Sequence, residues 1–471
     1  SGDATAASPS VAVVGGGLAG LAATVALQGA GCRVELFEAR RFLGGRAASF
    51  RDPATGEVVD LCQHVSMGCC TNLADFCRRL EISDCFRRDR TLHFIGPDGR
   101  QFDFRPLRWL PAPLHLLRGF CNMGFLSMAD RLAIARALWR LMRLRAADCP
   151  SDATIGGWLA EQKQPTRAIE RFWTVILVST LGERLERASL AAARKVLVDG
   201  FLASSEASTI EVPRVPLAAL YGERMESWLA AHDVALHSNS PIRQVECDDA
   251  SLGVRTASDL HRSDFVILAV PWSKVRAMLT DDLANRWPGV ADLARIESSP
   301  ITGVHLWFDR PIMDLPHAVL VGRLGQWIFR RPTEALGKGI GHYYQVVISA
   351  SHDLAGRDRQ AVVDDLCGEL AAIWPEARKA KLLRSRIVAD PDAVFSVQCG
   401  SELFRPPQQT PIPGLLVAGD WTATGWPATM EGAVRSGYLA AESILEQSGR
   451  PRRLIVPDLS RGLLARLCIN E

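Results

Sequence analysis

An apolar run, Val11 to Val14, leads directly into Gly15-Gly16-Gly17-Leu18-Ala19-Gly20, and the small, mostly apolar residues from Leu18 to Ala30 carry helical character. A second short run, Arg33 to Phe37, ends on Glu38. This order predicts a strand, a glycine turn, a helix and a parallel strand, a β-α-β unit. Gly15 permits the tight turn, Gly17 lets the backbone approach a pyrophosphate, and Gly20 lets helix and strand pack closely. The helix start, at Leu18 and Ala19, offers free N–H groups and a positive dipole end to phosphate oxygens. A glycine-rich turn in an unrelated fold would show the same six residues. Glu38 makes that the weaker reading, because a carboxylate at the end of the second strand accepts both ribose hydroxyls of an adenosine.

Two further buried-strand candidates lie far along the chain, Phe265 to Val270 and Leu415 to Ala418, each followed by a turn residue, Pro271 and Gly419. They predict an α/β chain whose Rossmann-type nucleotide domain is assembled from discontinuous segments, 1–66, 213–275 and 400–450. The intervening segments, 67–212 and 276–399, are assigned to an α+β substrate domain with a helical part over about 105–200, and 451–471 to a tail. Residues Ser1 to Ser10 read as a disordered lead-in. The 471 residues are 48% hydrophobic and 23% charged, enough for two or three structural units with sizeable cores. A net charge of +2 gives no electrostatic reason to expect a nucleic-acid partner. The twelve cysteines show neither zinc spacing nor a disulfide framework, which fits a reducing cytosol and no metal. The uncharged stretch from Ala4 to Cys32 is broken by six glycines and holds the nucleotide fingerprint, so it is not read as a membrane span. It lacks the basic start and cleavage site of a signal peptide.

NAD and FAD share the fingerprint, and other loops decide between them. Leu43-Gly44-Gly45-Arg46-Ala47 follows Glu38 closely enough to bring Arg46 to a pyrophosphate. Near the other end, Gly419-Asp420-Trp421 leads into Met430-Glu431-Gly432-Ala433-Val434-Arg435-Ser436-Gly437, the opening of a helix. An acid at Asp420 can hold a ribityl hydroxyl, and the helix start can stabilise negative charge on a reduced flavin. An isolated Gly-Asp is more often an ordinary turn. Three signals in this order favour FAD.

These loops, with Asp60-Leu61-Cys62-Gln63-His64-Val65-Ser66-Met67-Gly68, Pro111 to Leu116 and the stretch Gly419 to Pro427, resemble the amine oxidase and phytoene desaturase superfamily of flavoproteins. Within it the match is to the hydroxysqualene dehydroxylase family and spans nearly the whole chain. One departure is Cys62, where many relatives carry glycine. The resemblance places Ala39 and Arg40 beside Glu38, and Gln63, His64, Val65, Val245, Met430, Glu431, Gly432 and Ala433 in the FAD site. It implies that reduced flavin delivers hydride to an allylic carbon whose hydroxyl leaves as water, turning hydroxysqualene into squalene.

Such a reaction needs a dry apolar tunnel, a proton donor and groups that tolerate an allylic cation. Trp421, Trp426, Trp173 and Phe172 are candidate lining residues, although each fits a plain core role. His64 is the candidate proton donor, with Asp60 and Glu431 as runners-up, and a backbone-bonded or flavin-bonded histidine is an equal reading. With one dinucleotide fingerprint, electrons must come from a transient, unspecified donor. Two rivals stand beside this reading. One is an oxidative carotenoid-type desaturase or amine oxidase, the latter disfavoured by only four tyrosines. The other is a non-catalytic flavin-binding partner of a terpenoid complex.

The segment Arg105 to Arg145 holds eight arginines and one acid, Asp130. Met128, Leu132, Ala135, Trp139 and Met142 follow helical spacing, and Arg136, Arg140 and Arg143 fall on another face. This predicts either a helix packed on its own domain or an interfacial helix. The second option, with Trp109, Leu110, Leu114, Leu116, Leu117, Phe120 and Phe125 entering the lipid boundary and 461–467 adding to the patch, would hold a cytoplasmic protein on the inner membrane face.

Overall fold

The structure, a computed structural model, describes residues 8–53, 55–107, 109–248, 251–331 and 341–470. The elements that shape its first half are β1 (Ser10–Val14), α1 (Leu18–Gly29), β2 (Arg33–Phe37), α2 (Thr71–Arg79), β3 (Leu92–Ile95), β4 (Gln101–Phe104) and α3 (Met128–Arg143). Next come β5 (Ala235–His237), β6 (Gln244–Cys247), β7 (Leu252–Arg255), β8 (Leu260–Ser263) and β9 (Phe265–Leu268). The last part supplies β10 (Ser298–Phe308), β11 (His317–Leu320), β12 (Trp327–Arg330), β13 (His342–Ser349), α4 (Arg359–Ile373), β14 (Leu382–Phe395), β15 (Leu415–Val417), α5 (Met430–Gln447) and α6 (Leu463–Cys468). Residues 1–7 of the expected lead-in, and Arg108 of the arginine-rich segment, lie outside the described residues. Ser10 is the first residue of β1 and therefore ordered, which corrects the lead-in at that end.

A five-stranded parallel sheet, β5-β2-β1-β9-β15, draws its strands from three remote stretches of sequence. Its strands read as near-continuous apolar runs because both faces are covered. Val11, Val13, Leu36, Ile267 and Leu416 pack with α1 and α5 on one side, while Ala12, Val14, Val266, Leu268 and Val417 join the main core on the other. The two helices lie in backbone contact: a Cβ on Gly437 of α5 would stand 2.2 Å from the Ala19 carbonyl oxygen of α1. Only a residue without a side chain lets them approach this far.

The second large sheet, β14-β10-β13-β12-β11-β3-β4, is mostly antiparallel. Strand alternation splits it into two chemically different faces. Val304, Leu306, Tyr344, Val346, Ile348 and Ile328 pack beneath α4. The opposite face carries the cross-strand row His305, Gln345, Phe329 and His317, and it looks toward the nucleotide side and the helical layer.

In that layer α3 begins with a capping box from Ser127 and Asp130. It buries Ala133, Ile134, Ala137, Leu141 and Met142. The stripe Met128, Leu132, Ala135, Trp139 faces outward, with Leu132 67% and Trp139 49% exposed. Met142 thus departs from the stripe that its spacing predicts. A helix apolar on two sides has no local signal to say which side meets the core.

Burial of two histidines has a pH consequence. His115 is pushed down to about 4 and His305 to about 3, in both cases mainly because burial disfavours the charged ring. Below the unfolded value of about 6.5, the unfolded chain takes up protons that the folded one refuses, so stability falls as pH drops toward 4. At pH 5 each ring costs about 2 kcal/mol by this linkage. The drop in urea-unfolding stability between pH 7 and pH 5 should be about 2 kcal/mol smaller in His115→Leu than in wild type. Equal drops would show that His115 takes no part.

Candidate flavin and substrate site

Two loops that the sequence places far apart meet at the start of α1. Gly44 N–H donates to the Gly16 carbonyl at 2.8 Å, and a Cβ on Gly45 would stand 3.0 Å from the Gly17 Cα. At Gly17, a Cβ would meet nothing closer than 3.9 Å, which leaves the backbone open on that side. Gly17 caps α1 without a side-chain hydrogen bond, so the first N–H groups of the helix keep their capacity for an anion. Glu38, buried, accepts Gly16 N–H at 2.6 Å and Arg40 N–H at 2.7 Å through different oxygens. Each oxygen keeps a lone pair for a hydroxyl. Ala39 and Arg40 follow on the exposed rim, while Val245 is fully buried on β6, bridged to Leu279.

From the far end of the chain, Asp420 accepts a hydrogen bond from Arg46 Nη2 at 2.5 Å, and Arg46 Nη1 donates to the Ala393 carbonyl. Burial opposes the charge on Arg46, and the Asp420 carboxylate more than offsets this, so its pKa is raised. The Gly419 turn is tied to α5 by its N–H donating to Ser436 Oγ at 2.8 Å. At the α5 start, Thr429 caps Gly432 N–H, beside Met430 and Ala433. The cradle, the spare acceptors on Glu38 and the Arg46–Asp420 pair fit a dinucleotide of the FAD type.

The segment 60–64 lies between these loops and the polar sheet face. A Cβ on Gly303 would stand 3.2 Å from the Leu61 carbonyl oxygen. Asp60 is fully engaged: Ser49 Oγ and Leu217 N–H donate to one oxygen, and Arg331 Nη2 donates to the other at 2.7 Å. Arg331 Nη1 also holds Gln63 at 2.8 Å. Every one of these partners donates to the carboxylate, so Asp60 serves as a buried anchor for the segment rather than as a free acid facing a substrate. Glu431 has the same fate. Its oxygens accept Asn72 N–H, Asn72 Nδ2, Leu73 N–H and Arg435 Nε, so it caps α2 rather than facing a substrate.

His64 is half-buried beside Val65, and its Nδ1–H donates to the Cys62 carbonyl at 3.0 Å. Burial chiefly, with Arg46 nearby, holds its pKa below the ordinary histidine value. With Nδ1–H donating, the neutral ring presents a lone pair at Nε2, and the lowered pKa disfavours the protonated donor that the sequence suggested. Cys62, at the position of the sequence departure, is half-buried, and its thiol is pushed up to about 12, chiefly by desolvation.

The four aromatic candidates do not converge. Trp421 is buried, and its Nε1–H donates to the Val270 carbonyl under the nucleotide sheet. Trp173 donates to Gln164 Oε1 and meets Phe172 edge-on in the helical layer, a core arrangement. Trp426 borders a cavity of about 260 Å³, which it shares with Cys69, Lys195, Asp199, Asp458 and Arg461. Lys195 and Arg435 both sit over its ring, so that cavity is charged rather than apolar.

Sequence reasoning missed two arginines. Arg331 organises segment 60–63. Arg405, its side chain 1% exposed, donates to the carbonyls of Asp420, Thr422 and Trp426 and fixes the loop after the Gly-Asp turn. Neither position belongs to a periodic pattern or a spaced motif, because their partners are remote in sequence.

Comparison with known proteins fits this geometry. The chain is 26% identical to the 15-cis-phytoene desaturase of Solanum lycopersicum over 463 residues, covering 93% of this chain and 77% of that one. It is equally 26% identical to the hydroxysqualene dehydroxylase of Rhodopseudomonas palustris over 453 residues, covering 93% and 99%. The cyclohexylamine oxidase from Brevibacterium oxydans shares the fold, with a TM-score of 0.69 at 18% identity over 94% of this chain and 100% of that one. The model of the flavin containing amine oxidoreductases matches residues 18–445. With its parallel nucleotide sheet, glycine cradle and covering sheet, the chain belongs to the flavin containing amine oxidoreductase family.

Proposed function

We infer that the protein binds FAD and removes the hydroxyl of hydroxysqualene reductively, giving squalene and water. Bound FAD in its reduced form supplies the hydride that takes the place of the hydroxyl. Gly15, Gly17, Gly20, Glu38, Arg46 and Asp420 would hold it, with Val245, Gln63 and the start of α5 around them. His64, neutral with a lone pair at Nε2, suits accepting the hydroxyl hydrogen and orienting that group. The proton that completes the leaving water comes from another donor.

One observation carries this reading over a hydrocarbon desaturase. Gln345, fully buried on the sheet face that segment 60–63 covers, has no hydrogen-bond partner for either amide atom among the described residues. Beside it His305 Nδ1 and the Tyr343 hydroxyl pair at 2.7 Å. A pure hydrocarbon against this row leaves Gln345 unpaired, at about 1–3 kcal/mol for each group. A chain bearing one hydroxyl can satisfy part of it. The similarity to a hydroxysqualene dehydroxylase over nearly its full length is compatible with this choice, and the similarity to carotenoid desaturases is as great.

A substrate this apolar is drawn most directly from a bilayer. No helix among the described residues is long and apolar enough to cross a membrane. Trp109, Leu114, Leu117, Met128, Leu132 and Trp139 are exposed, as are Leu463 and Leu467 of α6, whose end binds the end of α3 through Asn470. Phe125, expected at the lipid boundary, is instead buried against Phe94 and Phe102, while Leu116 and Phe120 are half-buried. With Arg118, Arg136, Arg140 and Arg143 exposed around it, the patch suits an anionic lipid surface, and each arginine contributes about 1 kcal/mol there.

Mixing anaerobically reduced holoprotein with hydroxysqualene should oxidise one flavin per squalene formed, and the oxidised protein alone should form none. Gln345→Leu should raise KM for hydroxysqualene about tenfold, the loss of one hydrogen bond. Protein with glutamate at positions 136, 140 and 143 should no longer sediment with anionic liposomes while keeping its flavin. Insertion of double bonds into phytoene by the oxidised protein would replace this reading with the desaturase one. No flavin reoxidation by either substrate would leave a binding partner.

A further inference from the structure

Away from the flavin loops, three strands bring together side chains that the reading above does not use. Glu35 of β2, His237 of β5 and His261 of β8 converge at the edge of the nucleotide sheet. His237 Nε2 stands 3.0 Å and His261 Nδ1 3.5 Å from the same oxygen, Glu35 Oε2. One ligand atom from each lies within 4.8 Å of the other two. Backbone pairing fixes their placement, since Ala235 pairs with Glu35, His237 with Phe37, and His261 with Val254. Phe37 sets the rings, stacked on His237 at 4.4 Å and edge-on to His261 at 4.9 Å. The three side chains are 37%, 30% and 28% exposed, which leaves an entry path from solvent.

We propose that Glu35, His237 and His261 form a binding site for one late first-row divalent cation, zinc in the first instance. Two imidazole nitrogens and one carboxylate oxygen make a donor set that suits zinc, cobalt or nickel, whereas magnesium and calcium ask for oxygen ligands. Tetrahedral bonds of about 2.0–2.2 Å separate ligand atoms by about 3.4 Å. The two separations to Glu35 bracket that distance, and the ligand nitrogens of the two rings already lie within 4.8 Å of each other. Solvent on the open side supplies the fourth ligand. Three ligands, spread over residues 35, 237 and 261, leave no spacing motif in the sequence.

The ion would tie the antiparallel β6-β7-β8 ribbon to the sheet edge, three positions before Glu38. A ligand that binds the folded state alone raises its stability.

The test uses flavin-loaded protein stripped with a chelator and titrated with zinc by calorimetry. One equivalent should bind, with a rise in melting temperature. X-ray absorption of the one-zinc protein should show two imidazoles with oxygen ligands and no sulfur. His237→Gln and His261→Gln keep a side chain able to donate to Glu35. Each should weaken binding by more than the roughly 10–100-fold that loss of an outer-sphere partner costs, with flavin content unchanged. Three results would each overturn the site: no zinc uptake by wild type, uptake unchanged in both variants, or sulfur ligation, which would assign the ion to the cysteines. The first would reduce the trio to one ring hydrogen-bonded to the Glu35 carboxylate and a second ring 3.5 Å from it.

Discussion

Gly20→Ala protein is expected to fold poorly and to purify without flavin. The added Cβ would stand 1.9 Å from the Gly15 carbonyl oxygen, 3.1 Å from its carbon and 3.2 Å from the Ala269 Cβ. The first two are backbone atoms, so no rotamer relieves the clash. Gly15 itself sits at φ +113°, with its own Cβ position 2.3 Å from the Ala269 carbonyl oxygen, so the turn has nowhere to retreat. The helix start must move away from the strand, and the N–H groups offered to a pyrophosphate move with it. Overpacking of a well-filled site costs about 1–3 kcal/mol, and the upper end corresponds to a loss of flavin affinity on the order of 100-fold. Gly29→Ala in the same helix provides the control, since a Cβ there meets nothing within 4 Å. It should bind flavin normally and gain up to about 1 kcal/mol of helix stability. Flavin titration of both proteins decides the matter, and normal binding by Gly20→Ala would refute the packing argument.

The second large effect is expected at Arg405. Its guanidinium donates at 2.6 Å to the Thr422 carbonyl, at 2.8 Å to that of Trp426 and at 3.0 Å to that of Asp420, and also pairs with Glu402 at 2.6 Å. Arg405→Met keeps the bulk and removes every donor. Three buried carbonyls then lose a partner, and breaking a buried charged network costs about 3–5 kcal/mol. Against a typical total of about 5–15 kcal/mol, that is a large share. Denaturant unfolding should register the loss, and flavin should dissociate faster because the Asp420 loop is no longer held. Arg405→Lys should recover little of it, since one ammonium cannot reproduce the planar fork. A methionine variant that matches wild type in both measurements would show that the loop holds itself.

What was legible in the sequence was local or regular. The strands at Val11, Arg33, Phe265 and Leu415, the helix after Gly17 and the order of the three flavin loops follow from apolar runs, glycine placement and chain order. What was not legible depends on partners remote in sequence. Nothing next to Asp60 announces Arg331, and nothing next to Glu431 announces Asn72, so two buried anchors looked like candidate acids. His64 looked like a proton donor because its type suggested one, whereas its tautomer is set by the Cys62 carbonyl. In α3 both faces carry helical apolar spacing, and only the packing decides which one is inward. The Glu35, His237 and His261 trio exists only once three strands are laid side by side.

The parallel sheet that carries the nucleotide loops has a consequence for biogenesis. Its fifth strand, Leu415–Val417, pairs with Phe265–Leu268, and the Arg46–Asp420 link spans 374 residues. During synthesis, a ribosome that has already exposed the N-terminal β-α-β unit must make almost the entire chain before that sheet can close. Contacts this distant are slow to form, and the open strand edge meanwhile invites misassembly. The cofactor pocket therefore closes only once residues 415–420 have been made, and cells that lack chaperone capacity would accumulate aggregated polypeptide even where flavin is plentiful.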